Sequence, residues 1–243
     1  MIYGYVLGGY VIHPHRFDKR LSHYLCEVTK HSDDLTRRMC TCLSGIGHSF
    51  KMVDPALISV CKLLYQEALP ILYSSNTFCF LWATSLSLFT TTLRKASSQA
   101  RAPVLSFVRN VHIHTEIDFI VDWSRHFKSL KLHCPHIQRV TVSLEATPFA
   151  NRLRTSAVDF TDLKRSFQFW ESQVLVLATL TNIKKFKIGI KNSRASFSSR
   201  RQSWKAKVQR KFWKAHQEAK EVETGRKRGG KNGKAKKKLH ASK

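Results

Sequence analysis

A chain of 243 residues has room for one sizeable domain and an appendage. Its 42 Lys and Arg outnumber 16 Asp and Glu, for a formal net charge of +26, which points to an anionic partner, nucleic acid or an acidic surface. No stretch approaches the roughly 20 uninterrupted apolar residues that cross a bilayer, so a transmembrane segment is not expected.

The start, Met1–Gly9, is apolar but lacks a basic region and a small-residue cleavage site, so no secretory signal is read there. With six cysteines and no such signal, free thiols in a reducing, intracellular compartment are expected. Ile2, Tyr3, Val6 and Leu7 fall at helical spacing, and Gly8-Gly9 stops that helix. Tyr10–His13 and Leu21–Val28 have strand character and are expected to pair as a ribbon across Pro14–Arg20. Thr29–His48 has little period and reads as loop.

Asp54-Pro55 is a helix start: Asp accepts from the first unpaired amides, and Pro suits the first helical position. Leu57, Val60, Cys61, Leu64 and Ala68 then trace one apolar face. Pro70 has no amide for the ladder, so the helix is expected to end or kink there, with Ile71–Tyr73 as a second short turn. Asn76-Thr77 breaks that turn, and Phe78, Phe80 and Trp82 alternate as a strand does. Ser85–Ala96 is a helix with Leu86, Phe89 and Leu93 inward.

Three strands follow, Phe107–Thr115, Ile137–Leu144 and Ile183–Ile190, each behind helical sequence (Ser85–Ala96, Asp122–Leu132, Asp159–Leu180). The predicted class is α/β, with N-terminal helices and a short β-ribbon. Irregular, leucine-rich-repeat-like (LRR-like) helix–strand units follow and form an open, mainly parallel sheet. The division expected is a domain over residues 1–190, a linker over 191–199, a basic amphipathic helix over 200–223 and a disordered basic tail over 224–243.

The segment Cys61–Phe80, CKLLYQEALPILYSSNTFCF, resembles the marker of a large domain-of-unknown-function family in filamentous fungi. That marker reads Cys-Arg, then Tyr-x-Glu-Ala-x-Pro-x-Leu-Tyr-x-x-Asn-x-Phe. The matching positions are Cys61, Tyr65, Glu67, Ala68, Pro70, Leu72, Tyr73, Asn76 and Phe78. FVRNVHIH and HIQRVTVSL look like that family's strands. Members commonly open with an F-box-like helix beginning Leu-Pro-x-Glu-Ile-Arg and followed by Ile-Tyr. This chain opens at Ile2-Tyr3, so that half-motif is absent and recruitment of a ligase adaptor does not follow. The resemblance implies a scaffold and no established chemistry.

The marker reads as framework, with Tyr65, Tyr73 and Asn76 as buried polar groups that fix a turn. Cys26, Cys40 and Cys42 with His23, His31 and His48 do not match the ligand spacing of structural zinc, so neither a metal nor a cofactor is expected. Cys61, Cys79 and Cys134 read as buried small hydrophobes. His112 and His114 share a strand face near Asp118 and Asp122, where a His–Asp pair is conceivable, but no nucleophile elbow or phosphate-binding glycine loop accompanies them, and no catalytic residue is assigned. The cations expected to meet nucleic acid or import machinery are Lys205, Lys207, Arg210, Lys211, Lys214, Arg226, Lys227, Arg228, Lys236, Lys237 and Lys238. Trp204, Phe212 and Trp213 among them have several destinations: stacking on a partner's bases, insertion at a membrane surface or into a calmodulin-like partner, or docking on the domain itself. The functional expectation is a non-enzymatic protein-interaction module with a nuclear-targeting tail. The alternative is a nucleic-acid-binding protein that uses the tail as its electrostatic contact.

Overall fold

The computed structural model describes residues 7–17, 20–26, 62–100, 104–116, 122–146, 160–192 and 198–239. The elements run β1 (Val11–Phe17), β2 (Arg20–Leu25), α1 (Lys62–Ser75), β3 (Thr77–Phe80), α2 (Ala83–Ala100), a 3-10 turn (Val104–Phe107) and β4 (Asn110–Glu116). They continue with α3 (Ser124–His133), β5 (Arg139–Ala146), α4 (Phe160–Leu177), β6 (Lys185–Asn192) and α5 (Ser198–Leu239). The six strands form one sheet in the order β2-β1-β3-β4-β5-β6. Only β1–β2 is antiparallel; β1–β3, β3–β4, β4–β5 and β5–β6 are parallel.

Alternation along the strands sets the two faces of the sheet, because successive side chains point to opposite sides. One row crosses it in register: Ile12 lies beside Phe78, Phe78 beside Val111, Val111 beside Val140 and Val140 beside Phe186. All five are buried in the main core. Helices α2 to α5 cover this face, with Leu86 and Phe89 from α2, Phe127 and Leu130 from α3, Trp170 and Val174 from α4, and Val208 and Phe212 from α5. Each helix packs on the next, α2 on α3, α3 on α4 and α4 on α5. The helix-then-strand pattern of the sequence is therefore the real architecture, as parallel neighbours need a crossover between them.

Three local expectations are corrected. β1 does not stop at His13; it runs through Pro14 to Phe17, and β2 begins at Arg20. Pro14 is tolerated because β1 pairs with β3 only at Val11 and Ile12, so beyond them no amide is needed on that side. Next, α1 does not end at Pro70 but continues to Ser75. One lost ladder bond is outweighed there by burial of Leu69 and Tyr73 on either side of the proline. Trp82 is not part of β3, which ends at Phe80; the indole is exposed ahead of α2. Of the destinations open to the stripe on residues 200–223, the structure shows docking: α5 is the last layer of the same core. The helix is described to Leu239 and its side chains up to Thr224. The helix start at Asp54-Pro55, the Thr29–His48 loop and Cys61 lie outside the described residues. Leu7 is helical and Gly9 has φ 81°, the left-handed geometry expected of a glycine stop.

Candidate functional site

Asn76 closes α1 and opens β3, and its side chain is fully buried. Its Oδ1 accepts the amide of Tyr10 at 2.8 Å, and its Nδ2 donates to the carbonyls of Leu72 (2.7 Å) and Leu7. A single amide thus terminates α1, anchors the entry to β1 and holds the N-terminal segment. The device repeats one strand over. Asn110 donates Nδ2 to the carbonyls of Asn76 (3.1 Å) and Ser74 (3.2 Å), and its Oδ1 accepts Nε of Arg139 at 2.8 Å. Backbone bonds extend the row, since the amides of Gln138 and Arg139 both donate to Arg109 O and those of Lys184 and Lys185 to Gln138 O. This ladder ties the N-terminal ends of the strands together.

The rest of the marker packs. Tyr73 stacks on Phe78 with centroids 5.3 Å apart, and Phe78 and Phe80 both meet Phe89. Ala68 is buried, and Tyr65, Pro70 and Leu72 are partly so. Burial raises the Tyr73 hydroxyl above its ordinary range, and Tyr65 pushes the same way, so no phenolate is poised there. Glu67 is exposed. Glu67, Tyr73 and Asn76 do not converge.

The opposite face of the sheet carries a buried histidine row, His13 on β1 with His112 and His114 on β4. His112 Nε2 lies 2.9 Å from Ser143 Oγ on β5, and His114 Nε2 lies 3.6 Å from Glu145 Oε2. The partners come from the neighbouring strand and not from the acids further along the chain. Asp122 instead binds the amide of Ser124 at 2.9 Å in the first turn of α3, and Asp118 lies outside the described residues. A serine beside a histidine invites a nucleophile reading. However, burial pushes the His112 imidazole down to about 3, and His114 and His13 push in the same direction. So weak a base does not take the Ser143 proton at neutral pH. The pair works as a hydrogen bond between β4 and β5. Sequence reasoning placed both histidines correctly on one face but missed Ser143, because strand register is not written in local pattern.

This neutral histidine has a thermodynamic consequence. Unfolded, an imidazole takes up a proton below about 6.5; folded, His112 stays neutral down to about 3. Between those values the unfolded chain binds more protons, so stability is full above the window and declines as pH falls through it. The slope is about 1.4 kcal/mol per pH unit for this one group. Urea midpoints of the wild type should fall between pH 6.5 and 5 by the equivalent of about 2 kcal/mol. His112→Gln, which keeps an amide for Ser143 and does not titrate, should show a distinctly shallower fall.

The third candidate is the outer side of α5. Val208 and Phe212 face inward, and Phe212 stacks flat on Phe186 at 3.7 Å. Trp204 stacks on Phe167 of α4 at 4.8 Å. His216 is buried and donates Nδ1–H to the carbonyl of Ala178 at 3.0 Å, the only role a carbonyl leaves it. Gln209 Nε2 reaches the Phe186 carbonyl at 3.4 Å, which covers part of the β6 edge. Of the predicted cations, Lys207 and Lys211 both turn to the mostly buried Glu171 of α4, Lys207 at 3.7 Å and Lys211 closer. Arg210 and Lys214 are exposed and Lys205 half-exposed, without an ion pair among the described residues. The side chains of Arg226, Lys227, Arg228, Lys236, Lys237 and Lys238 lie outside the described set.

Cys79 and Cys134 are buried as expected, Cys26 is buried as well, and burial pushes the Cys134 thiol up to about 12. Cys40, Cys42, His31 and His48 lie outside the described residues. No helix among the described residues is long and apolar enough to cross a membrane.

These features define an α/β domain whose open, mainly parallel sheet carries helices α2 to α5 on one face, α5 being a basic helix that forms the last layer. The chain belongs to the family described as Domain of unknown function (DUF7730), whose model matches residues 1–226 and so includes the docked part of α5. No curated protein and no solved structure matches it.

Proposed function

We propose that this domain is a non-enzymatic protein-interaction module that meets an acidic partner through the outer face of α5, with the basic clusters Arg226–Arg228 and Lys236–Lys238 directing it to the nucleus. The observation that supports this reading is the orientation of α5. Phe212 is spent on Phe186 and Trp204 on Phe167, so the rings that would stack on bases are turned to the domain. What α5 offers outward is charge, from the exposed Arg210 and Lys214, with half-exposed Lys205 nearer the docked side. Charge held this way steers association and orients a partner more than it adds affinity.

The double reversal R210E/K214E tests the reading, because it changes the exposed surface and leaves the docked stripe in place. Affinity capture with the wild type should recover partners that survive nuclease treatment, and the variant should lose them by about tenfold or more, as a steering patch of inverted sign requires. Partners released by nuclease, with affinity falling steeply as salt rises, would favour the nucleic-acid alternative. A fluorescent fusion lacking residues 226–238 should lose nuclear accumulation.

A further inference from the structure

We propose that Ser203 is a phosphorylation site for a basophilic serine kinase. The sequence around it reads Arg200-Arg201-Gln202-Ser203-Trp204. Two arginines at −3 and −2 with an apolar residue at +1 match a cleft lined with carboxylates, which pair guanidinium groups bidentately, beside an apolar pocket. A chain with 42 Lys and Arg offers other basic residues ahead of serines, so the motif alone does not decide. Position does. Ser22 follows Lys19-Arg20 but is locked opposite His15 in the β1–β2 pair, and its +1 residue is His23. Ser97 follows Arg94-Lys95, but its +1 residue is Ser98. Ser203 is exposed and is the sixth residue of α5. Among the described side chains, the first on α5 to touch the rest of the domain is Trp204, on Phe167. A kinase needs an extended substrate, so labelling requires the N-terminal end of α5 to open through Trp204 and lift that ring from Phe167; helix ends are where such opening costs least.

In the transfer, Ser203 Oγ attacks the γ-phosphorus of ATP. The new O–P bond forms as the bond to the β-phosphate oxygen breaks, ADP leaves, and the hydroxyl proton passes to the kinase's catalytic carboxylate. The product sits one helical turn before Lys207, in the favourable order with the anion on the N-terminal side. Lys207 now lies 3.7 Å from Glu171, so the phosphate competes with Glu171 for it and rewrites the charge at the edge of the basic face. The assignment does not depend on what α5 binds.

The test is incubation of the native full-length chain with ATP and the catalytic subunit of cyclic-AMP-dependent kinase, followed by site-resolved mass spectrometry. Ser203 should carry most of the incorporated phosphate, Ser203→Ala should remove it, and Arg200→Ala with Arg201→Ala should slow the initial rate by about tenfold or more, as loss of two bidentate pairs implies. No incorporation, equal labelling of Ser22 or Ser97, or labelling of Ser203 only after denaturation overturns the proposal.

Discussion

Asn76→Ala will lower the stability of the domain by about 3–6 kcal/mol, read as a shift of the urea midpoint at unchanged slope. The side chain satisfies three backbone groups, the amide of Tyr10 and the carbonyls of Leu7 and Leu72. Alanine leaves all three without the partner that replaced water, and a buried unsatisfied group costs about 1–3 kcal/mol. A small domain has only about 5–15 kcal/mol in total, so this one amide carries a large share. Asn76→Asp is expected to be at least as damaging, since it removes both donated bonds and sets a charge against the Leu7 and Leu72 carbonyls. Glu67→Ala, in the same marker but exposed, should stay within about 0.5 kcal/mol of the wild type. If Asn76→Ala and Glu67→Ala cost the same, the marker is not framework.

Phe212→Ala will cost about 3–5 kcal/mol, the usual range for a buried aromatic truncated in a core. The ring lies flat on Phe186 at 3.7 Å and also meets Trp213 and His216 at 5.4 and 6.0 Å. Its removal opens a void between α5 and β6, and the neighbours cannot close it because Gln209 and His216 are bonded to Phe186 and Ala178. The lysines of α5 provide the readout: trypsin should cut α5 in the variant well before it cuts the wild type, since cleavage follows local opening. Lys214→Ala, on the outer side, should leave both stability and cleavage elsewhere in α5 unchanged.

Much of this architecture was legible in the residues. Alternation in NVHIHTE and RVTVSLEA gave the strands, and amphipathic runs such as SLSLFTTTL gave the helices that separate them, from which parallel pairing follows. Legibility failed where distant groups decide. Pro70 carries a strong local signal to stop, yet the burial of Leu69 and Tyr73 overrides it. The stripe Trp204, Val208 and Phe212 was visible, but period alone does not choose among its destinations; the rings it docks on, Phe186 and Phe167, lie on other elements. Glu171 drew no notice in sequence, although it binds two of the predicted cations, because a lone acid on an amphipathic helix has no local mark. The His112–Ser143 bond depends on register between β4 and β5.

The central claim is that the basic helix is structural on its inner side and available only on its outer side. Thermal unfolding of chains ending at Ile190 and at Thr224 tests it most directly. The account predicts that the chain ending at Thr224 melts cooperatively near the temperature of the full length, and that the chain ending at Ile190, stripped of Val208 and Phe212, has no cooperative transition. A chain ending at Ile190 that melts like the full length would contradict it.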